Sequence, residues 1–218
     1  FYAFYDLVII GGGISGLSAA LTAAESGLKI LIMEQNSEWG GRCLVDFPFI
    51  NEEPGLKYIS RILSELRKYK NVTMRSRMMG AGVYDHGYLL GYERLNDHLS
   101  TNEGPRHRLW RIRAKQIITA TGAIERPLSF PGNDIPGIML ASAVRDYATN
   151  FGVAVGDKVA VFTNNDDAYR TAITLHEIGV TVPVIIDARS GCGGELADHA
   201  KELGIRVENG KAILKLSL

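Results

Sequence analysis

Two kinds of hydrophobic spacing alternate along the first part of the chain. Residues 7–10 and 29–33 are short, mostly apolar runs, which are typical of parallel strands buried on both faces. Between them, residues 14–26 carry apolar side chains at helical spacing, and Gly27 ends that stretch. The pattern therefore predicts a strand, a helix and a second strand of one parallel sheet.

Further elements follow from the same patterns. Residues 58–69 have one apolar helical face and predict a helix that covers the sheet. Residues 77–113 predict a β-meander, and the apolar residues 115–121 predict the parallel strand after it. The basic residues near the end of the meander have the alternating spacing of a solvent-facing strand surface; they are Arg106, His107, Arg108, Arg111 and Arg113.

A second strand, helix and strand follow in residues 159–187. The stretch before them, 127–137, contains several prolines and glycines, which is typical of a crossing between domains. We therefore predict a first domain over 1–137 and a second, truncated domain over 138–218.

The turn after the first strand carries the spacing G-x-G-x-x-G. In this context the first glycine makes the turn, the second lets a pyrophosphate approach the backbone, and the third lets helix and strand pack closely. N–H groups at the helix start and the helix dipole favour phosphate there. The predicted contact residues are Gly11, Gly12, Gly13, Ile14, Ser15 and Gly16.

An acidic residue ends the second strand, at the position where a carboxylate accepts hydrogen bonds from the hydroxyls of the adenosine ribose. Glu34, followed by Gln35, would repel a 2′-phosphate, so NAD or FAD is favoured over NADP. The motif recognises the ADP half that NAD and FAD share, and it therefore leaves that choice open. The predicted fold is α/β: a Rossmann-like FAD/NAD(P)-binding fold with a parallel sheet and an inserted β-meander, plus a second, partial Rossmann-like unit.

Two later segments complete the predicted cofactor site. Gly40 and Gly41 permit a second close backbone approach, and Arg42 either meets a phosphate or carboxylate or is a surface charge. Thr121 and Gly122 end the strand over 115–121 and are predicted to join the same site.

The second unit lacks the glycine fingerprint. Thr163, Asn165 and Ala168 stand at the three glycine positions, and Asp166 and Asp167 place two carboxylates at the helix start. These charges satisfy the helix dipole and repel phosphate. We therefore expect the second nucleotide site to be empty.

Composition and charge exclude several function classes. The 24 basic residues equal the 24 acidic ones, which argues against binding of nucleic acid. No apolar run reaches the ~20 residues needed to cross a bilayer. Two cysteines cannot form a dense disulfide framework, so we expect a cytoplasmic protein. The five histidines show no metal-binding spacing, and no metal site is predicted.

The order of the glycine motif, Glu34, Gly40-Gly41 and Ala120-Thr121-Gly122 resembles that of the two-dinucleotide-binding-domain flavoproteins, the pyridine nucleotide-disulfide reductase superfamily. Within it, residues 83–95, 108–147 and 159–172 resemble the alpha subunits of heterotetrameric sarcosine oxidases. The redox pair of the disulfide reductases has the form C-x-x-x-x-C. Here Cys43 is followed by Pro48 at the second position, so both Cys43 and Cys192 are expected to be inert.

The resemblance implies a function for the whole protein. It implies that the first site holds NAD, that sarcosine is oxidatively demethylated in the beta subunit, and that a second flavin lies between alpha and beta. It also implies gamma and delta subunits as partners, and no catalytic residue in this chain, which we interpret as a fragment of a longer protein. Two alternatives remain open: an FAD-binding fragment of a related amine or proline dehydrogenase, and a nucleotide-holding scaffold that only assembles subunits.

Overall fold

The structure, a computed structural model, describes residues 1–100, 104–191 and 193–216, so the prediction for Cys192 lies outside the described residues. It divides into two units, Phe1–Ala123 and Ile124–Leu218. The division falls before the predicted one after residue 137. The intervening residues belong with the second unit because Glu125 accepts a hydrogen bond from the Ser142 N–H at 2.7 Å, and the rings of Phe130 and Phe162 meet at 5.8 Å.

The first unit alternates strands and helices before it reaches the meander. Its elements are β1 (Tyr2–Ile10), α1 (Ile14–Ala24), β2 (Ile30–Met33), α2 (Cys43–Asp46), β3 (Phe49–Ile50), β4 (Glu53–Pro54), α3 (Gly55–Leu66), β5 (Val72–Arg75), β6 (Met78–Tyr84), a 3₁₀ turn (Asp85–Gly87), β7 (Tyr88–Arg94) and β8 (His107–Thr119).

One sheet runs through this unit in the order β5-β2-β1-β8-β7-β6. The pairs β5–β2, β2–β1 and β1–β8 are parallel, whereas β8–β7 and β7–β6 are antiparallel. This arrangement confirms the predicted parallel sheet with an inserted β-meander.

Two strands are longer than the hydrophobic pattern predicted. The apolar run suggested that β1 starts at Leu7, but the strand starts at Tyr2. The last meander strand and the parallel strand were predicted as separate segments, but β8 is continuous from His107 to Thr119. The start of β1 is extended by pairing with β8, where Tyr2 lies opposite Arg111. β8 is continuous because it pairs on both sides: Arg111 also lies opposite Leu90 of β7.

Each face of the parallel strands packs on a different core. On one face, Leu7 and Ile9 pack with residues of α1 and α3 such as Leu17 and Ile62. On the other face, β1 and β2 pack against residues of the meander; this core contains Val8, Ile10, Leu31, Met33, Met78, Leu89 and Ile112. The carboxyl end of β1 leads through the glycine turn directly into the start of α1.

The second unit contains α4 (Ala141–Phe151), β9 (Val161–Thr163), α5 (Asp167–Glu177), β10 (Val184–Asp187), α6 (Glu195–Glu202) and β11 (Arg206–Asn209). Its three strands are parallel in the order β11-β10-β9. Its core forms around Tyr169, Leu175 and Ile185, which are fully buried. The predicted repeat of strand, helix and strand is therefore present.

Candidate dinucleotide-binding site

The first glycine turn is built by close backbone approach. Gly11 has a φ of +113°, and a Cβ there would overlap the Ala120 carbonyl oxygen. A Cβ on Gly16 would overlap the Gly11 carbonyl oxygen. Both glycines are therefore required by packing of the protein on itself.

Gly13 differs from these two because its surroundings are open. It is the N-cap of α1, and the nearest heavy atom to an added Cβ is the Gly41 Cα at 3.9 Å. No side chain caps this helix, and its first turn contains no acidic residue. The first N–H groups of a helix have no intrahelical acceptor, so Ile14, Ser15 and Gly16 present donors to an anion there.

The second glycine pair lies directly against this turn. The Gly40 N–H donates to the Gly12 carbonyl at 2.9 Å, and Gly40 and Gly13 form an isolated parallel bridge. Gly41 lies beside Gly13, and a Cβ on it would approach the Gly13 Cα to 3.1 Å. Two glycine segments distant in sequence therefore form one cradle of bare backbone.

Ala120, the residue directly after β8, closes the other side of the turn. The Ala120 N–H donates to the Ile10 carbonyl at 2.8 Å, and the Ala120 carbonyl and the Thr121 nitrogen lie against Gly11. Gly122 follows with a φ of +74° and open space where a Cβ would stand.

Glu34 is buried, with 4% of its surface exposed, and both carboxylate oxygens accept backbone hydrogen bonds. One accepts from the Gly12 N–H and the other from the Asn36 N–H, each at 2.8 Å. A carboxylate oxygen can accept more than one hydrogen bond. Glu34 therefore both anchors the glycine turn and keeps acceptor capacity for ribose hydroxyls.

A pocket of about 360 Å³ lies next to Glu34 and is lined by Gln35, Asn36, Met79 and Arg94. The Arg94 guanidinium donates to the Gln35 carbonyl at 2.7 Å, which holds it at the pocket wall. Gln35 is among the residues predicted from the sequence, whereas Met79 and Arg94 are not. No local signal pointed to them because they come from the meander strands β6 and β7.

Arg42 follows the second glycine pair and forms an ion pair within its own helical segment. Its guanidinium forms an ion pair with Asp46 at 2.7 Å, one helical turn further on. Whether Arg42 also contacts a phosphate or carboxylate of a ligand stays a prediction. Trp39, by contrast, contacts the site directly, since a Cβ on Gly12 would lie 2.5 Å from its ring.

The described residues contain no helix long and apolar enough to cross a membrane. They also contain no cluster of three or more His, Cys, Asp or Glu side chains that could hold a metal ion.

A family model described as pyridine nucleotide-disulphide oxidoreductase matches residues 5–217. The chain belongs to the pyridine nucleotide-disulphide oxidoreductase family.

Two curated relatives carry the same name. The sarcosine oxidase subunit alpha of Rhizobium meliloti (strain 1021) is 39% identical over 202 residues, which are 92% of this chain and 20% of that protein. The subunit alpha of Corynebacterium sp. (strain P-1) is 37% identical over 214 residues, 96% of this chain and 22% of that protein. These matches confirm the resemblance read from the sequence. The chain spans about a fifth of the length of these relatives.

A solved structure shows the same fold. L-proline dehydrogenase from P. horikoshii has a TM-score of 0.68 to this chain at 24% identity, and the match covers 89% of this chain and 37% of that one.

Cys43, which stands at the first position of the C-x-x-x-x-C redox pair of the disulfide reductases, is buried. Cys43 is 1% exposed and forms no disulfide within the described residues. Burial raises the pKa of its thiol, and the Asp46 carboxylate raises it further. Pro48 stands at the position of a partner thiol, so Cys43 lacks a second cysteine at the spacing of the family's redox pair.

In the second unit, the acidic residue at the end of β10 already has hydrogen-bond donors from the protein itself. Asp187 is fully buried and accepts hydrogen bonds from the Tyr169 hydroxyl at 2.9 Å and from the backbone and guanidinium of Arg189. The Arg189 guanidinium also pairs with Asp166 at 2.7 Å, and the two carboxylates raise the pKa of Arg189 above its usual value, with Asp187 as the larger cause. Asp187 corresponds in position to Glu34.

The start of α5 is also occupied by the protein itself. The Asn165 side-chain oxygen accepts from the Ala168 N–H at 3.3 Å, and Asp167 lies in the first turn of the helix. The buried Arg145 of α4 donates to the Asp167 carboxylate at 2.8 Å. This helix start therefore differs from that of α1, whose first turn contains no acidic residue.

Proposed function

We propose that the first unit binds NAD through the glycine cradle. The observation that carries the proposal is the open space at Gly13, bounded by Gly41 and by the uncapped start of α1. The pyrophosphate would accept hydrogen bonds from the N–H groups at this helix start, and the bare backbone leaves room for its approach. Arg42, which pairs with Asp46, would lie at the edge of this cradle as a further phosphate contact or as a surface charge.

The adenosine half would lie towards Glu34 and the pocket beside it. The Glu34 carboxylate would accept hydrogen bonds from the ribose hydroxyls. The side chains of Met79 and Arg94 would flank the base. A 2′-phosphate placed beside a buried carboxylate is repelled, which supports NAD over NADP.

We further propose that the second unit leaves its nucleotide site empty. Arg189 and Tyr169 saturate the carboxylate that would select a ribose, and Asp166 and Asp167 would oppose a phosphate at α5. NAD is a hydride carrier when it is turned over. With the second site empty and Pro48 in place of the second cysteine of the C-x-x-x-x-C pair, neither a second nucleotide nor that redox pair would exchange electrons with NAD. We therefore propose that NAD is held without turnover.

For the whole protein, we propose membership in a sarcosine oxidase complex, in which this chain is a non-catalytic region of the alpha subunit. The two relatives at 39% and 37% identity support this proposal. The beta, gamma and delta subunits would be its partners, and the oxidation of sarcosine would take place outside these residues. The cytoplasmic location stays a prediction from composition.

The test is identification of the ligand that co-purifies with the chain. We expect a colourless protein that releases NAD on denaturation, detected by mass spectrometry. A yellow protein that releases FAD would instead favour the amine or proline dehydrogenase alternative, and release of ADP alone would favour the scaffold.

A second test concerns activity. The purified 218-residue chain should show no oxygen consumption with sarcosine and no NADH-dependent reduction of a small disulfide. Steady turnover in either assay would contradict the non-catalytic role.

A further inference from the structure

The outer face of the meander carries exposed arginines between aromatic side chains. Tyr2 and Phe4 of β1 lie opposite Arg111 and Arg113 of β8, and Tyr88 of β7 lies opposite Arg113. We call these five residues the arginine–aromatic face. Together with Ala3 they line a groove of about 560 Å³.

The alternating spacing predicts that the basic residues here share one solvent-facing surface, but the structure separates them. Arg108 points to the other side, where it lies 3.5 Å from the buried Glu93 and packs on the rings of Phe1 and Trp110. Arg111 and Arg113 remain exposed on the outer face. They are two residues apart on one strand, so their side chains project on the same side.

The two arginines hold a positive charge that the described residues do not neutralise. The Arg111 guanidinium donates to the Tyr2 hydroxyl at 2.7 Å, and the Arg113 guanidinium donates to the His86 carbonyl at 3.0 Å. Within residues 1–100, 104–191 and 193–216, neither forms an ion pair with a carboxylate, whereas the neighbouring Lys115 is paired with Asp6 at 2.8 Å.

The aromatic residues orient the guanidinium groups and add apolar contact area. Arg111 lies 5.5 Å from the ring centre of Tyr2, and Arg113 lies 5.1 Å from that of Tyr88. Tyr2 is 77% exposed and Phe4 is 51% exposed, so the groove is open rather than enclosing. Small-molecule sites bury most of their ligand, whereas exposed Tyr, Phe and Arg are the residues enriched at protein interfaces.

We propose that the arginine–aromatic face docks an acidic segment of a partner subunit. A carboxylate of that segment would accept hydrogen bonds from Arg111 and Arg113, and apolar atoms beside it would cover Tyr2, Phe4 and Tyr88. Charge complementarity favours an acidic occupant, because Arg111 and Arg113 form no ion pair with a carboxylate in the part of the chain that the structure describes. The inference rests on the proposed assembly into a multi-subunit complex.

The experiment uses the full-length protein co-expressed with its partner subunits. The double variant Arg111→Glu/Arg113→Glu should raise the Kd of subunit association by about 30-fold or more, measured by mass photometry at a series of dilutions. Arg111→Lys/Arg113→Lys keeps the charge but loses the planar fork, and should give a smaller rise. The matched control is Arg67→Glu/Lys70→Glu, an exposed basic pair just beyond the end of α3, which should change the Kd by less than about threefold.

A cross-link identifies the occupant directly. With Tyr2→p-benzoylphenylalanine in the same complex, irradiation should join position 2 to a partner-subunit peptide that contains Asp or Glu. Equal weakening by the face and control variants would overturn the proposal. A cross-link to this same polypeptide, to a peptide without acidic residues, or to nothing would also overturn it.

The outcomes separate this inference from the function on which it rests. If the wild-type full-length protein binds NAD but remains a single chain on dilution, both the assembly and the docking face are refuted, while the nucleotide site stands. If the complex forms and the Arg111→Glu/Arg113→Glu variant assembles normally with NAD bound, only the docking face is refuted.

Discussion

Replacing Gly13 with alanine should separate ligand binding from folding. Gly13 has φ −76° and ψ −175°, a conformation that any residue adopts, and an added Cβ would have 3.9 Å to its nearest neighbour. Alanine is a poorer N-cap than glycine, but it also restricts the unfolded chain. These opposing effects should leave the free energy of unfolding within about 1 kcal/mol of the wild-type value.

The same methyl group should disrupt the nucleotide site. It would fill the space between Gly13 and Gly41 through which the pyrophosphate approaches the helix start. Each charge-assisted hydrogen bond to the phosphate contributes about 1.5–3 kcal/mol. Loss of one or two such bonds should weaken NAD binding by about 3 kcal/mol, on the order of 100-fold in Kd.

The assay is calorimetric titration with NAD, paired with thermal unfolding followed by circular dichroism. Gly16→Ala is the matched control, because its Cβ would overlap the Gly11 carbonyl oxygen and should destabilise the fold by about 2 kcal/mol or more. If folded Gly13→Ala bound NAD as tightly as the wild type, the pyrophosphate would not approach the backbone at this turn.

Three further changes test other parts of the site. Glu34→Gln should weaken NAD binding by about 1–3 kcal/mol and raise relative affinity for NADP, whereas the exposed Glu25→Gln should leave calorimetric titrations with both nucleotides unchanged. Arg189→Ala removes the cation beside the buried Asp187 carboxylate and should lower the free energy of unfolding in urea by about 2 kcal/mol. The loss is smaller than for a fully buried pair because the Arg189 side chain is 35% exposed. If this variant bound a second NAD per chain, the remaining residues around Asp187 and the start of α5 would not block the second nucleotide site. Cys43 should react with iodoacetamide at pH 8 at least about tenfold more slowly than free cysteine, since burial raises its pKa. This rate is measured by mass spectrometry in a Cys192→Ser background, and alkylation at the rate of free cysteine would show an accessible thiolate.

Much of the first unit followed from local pattern. The apolar runs at β1 and β2, the helical spacing of α1 and the glycines between them predicted the strand, turn and helix in the right order. Such segments can be predicted from the sequence because a buried parallel strand needs apolar side chains on both faces and a tight turn needs glycine. The repeat with altered glycine positions in the second unit was readable for the same reason.

The sequence alone determined which residue types stand at the glycine turn and at the strand-end acids, because these requirements are local and belong to single positions. Only the tertiary structure decided the rest, because it depends on contacts between distant segments. Pairing with β8 extends β1 to Tyr2, and pairing with both β1 and β7 makes β8 continuous. Folding of the meander brings Arg94 to the pocket beside Glu34. Arg108 and Arg111 project from opposite faces of β8, because side chains alternate along a strand. Packing decided which face is covered: Arg108 lies beside the buried Glu93, and Arg111 is exposed.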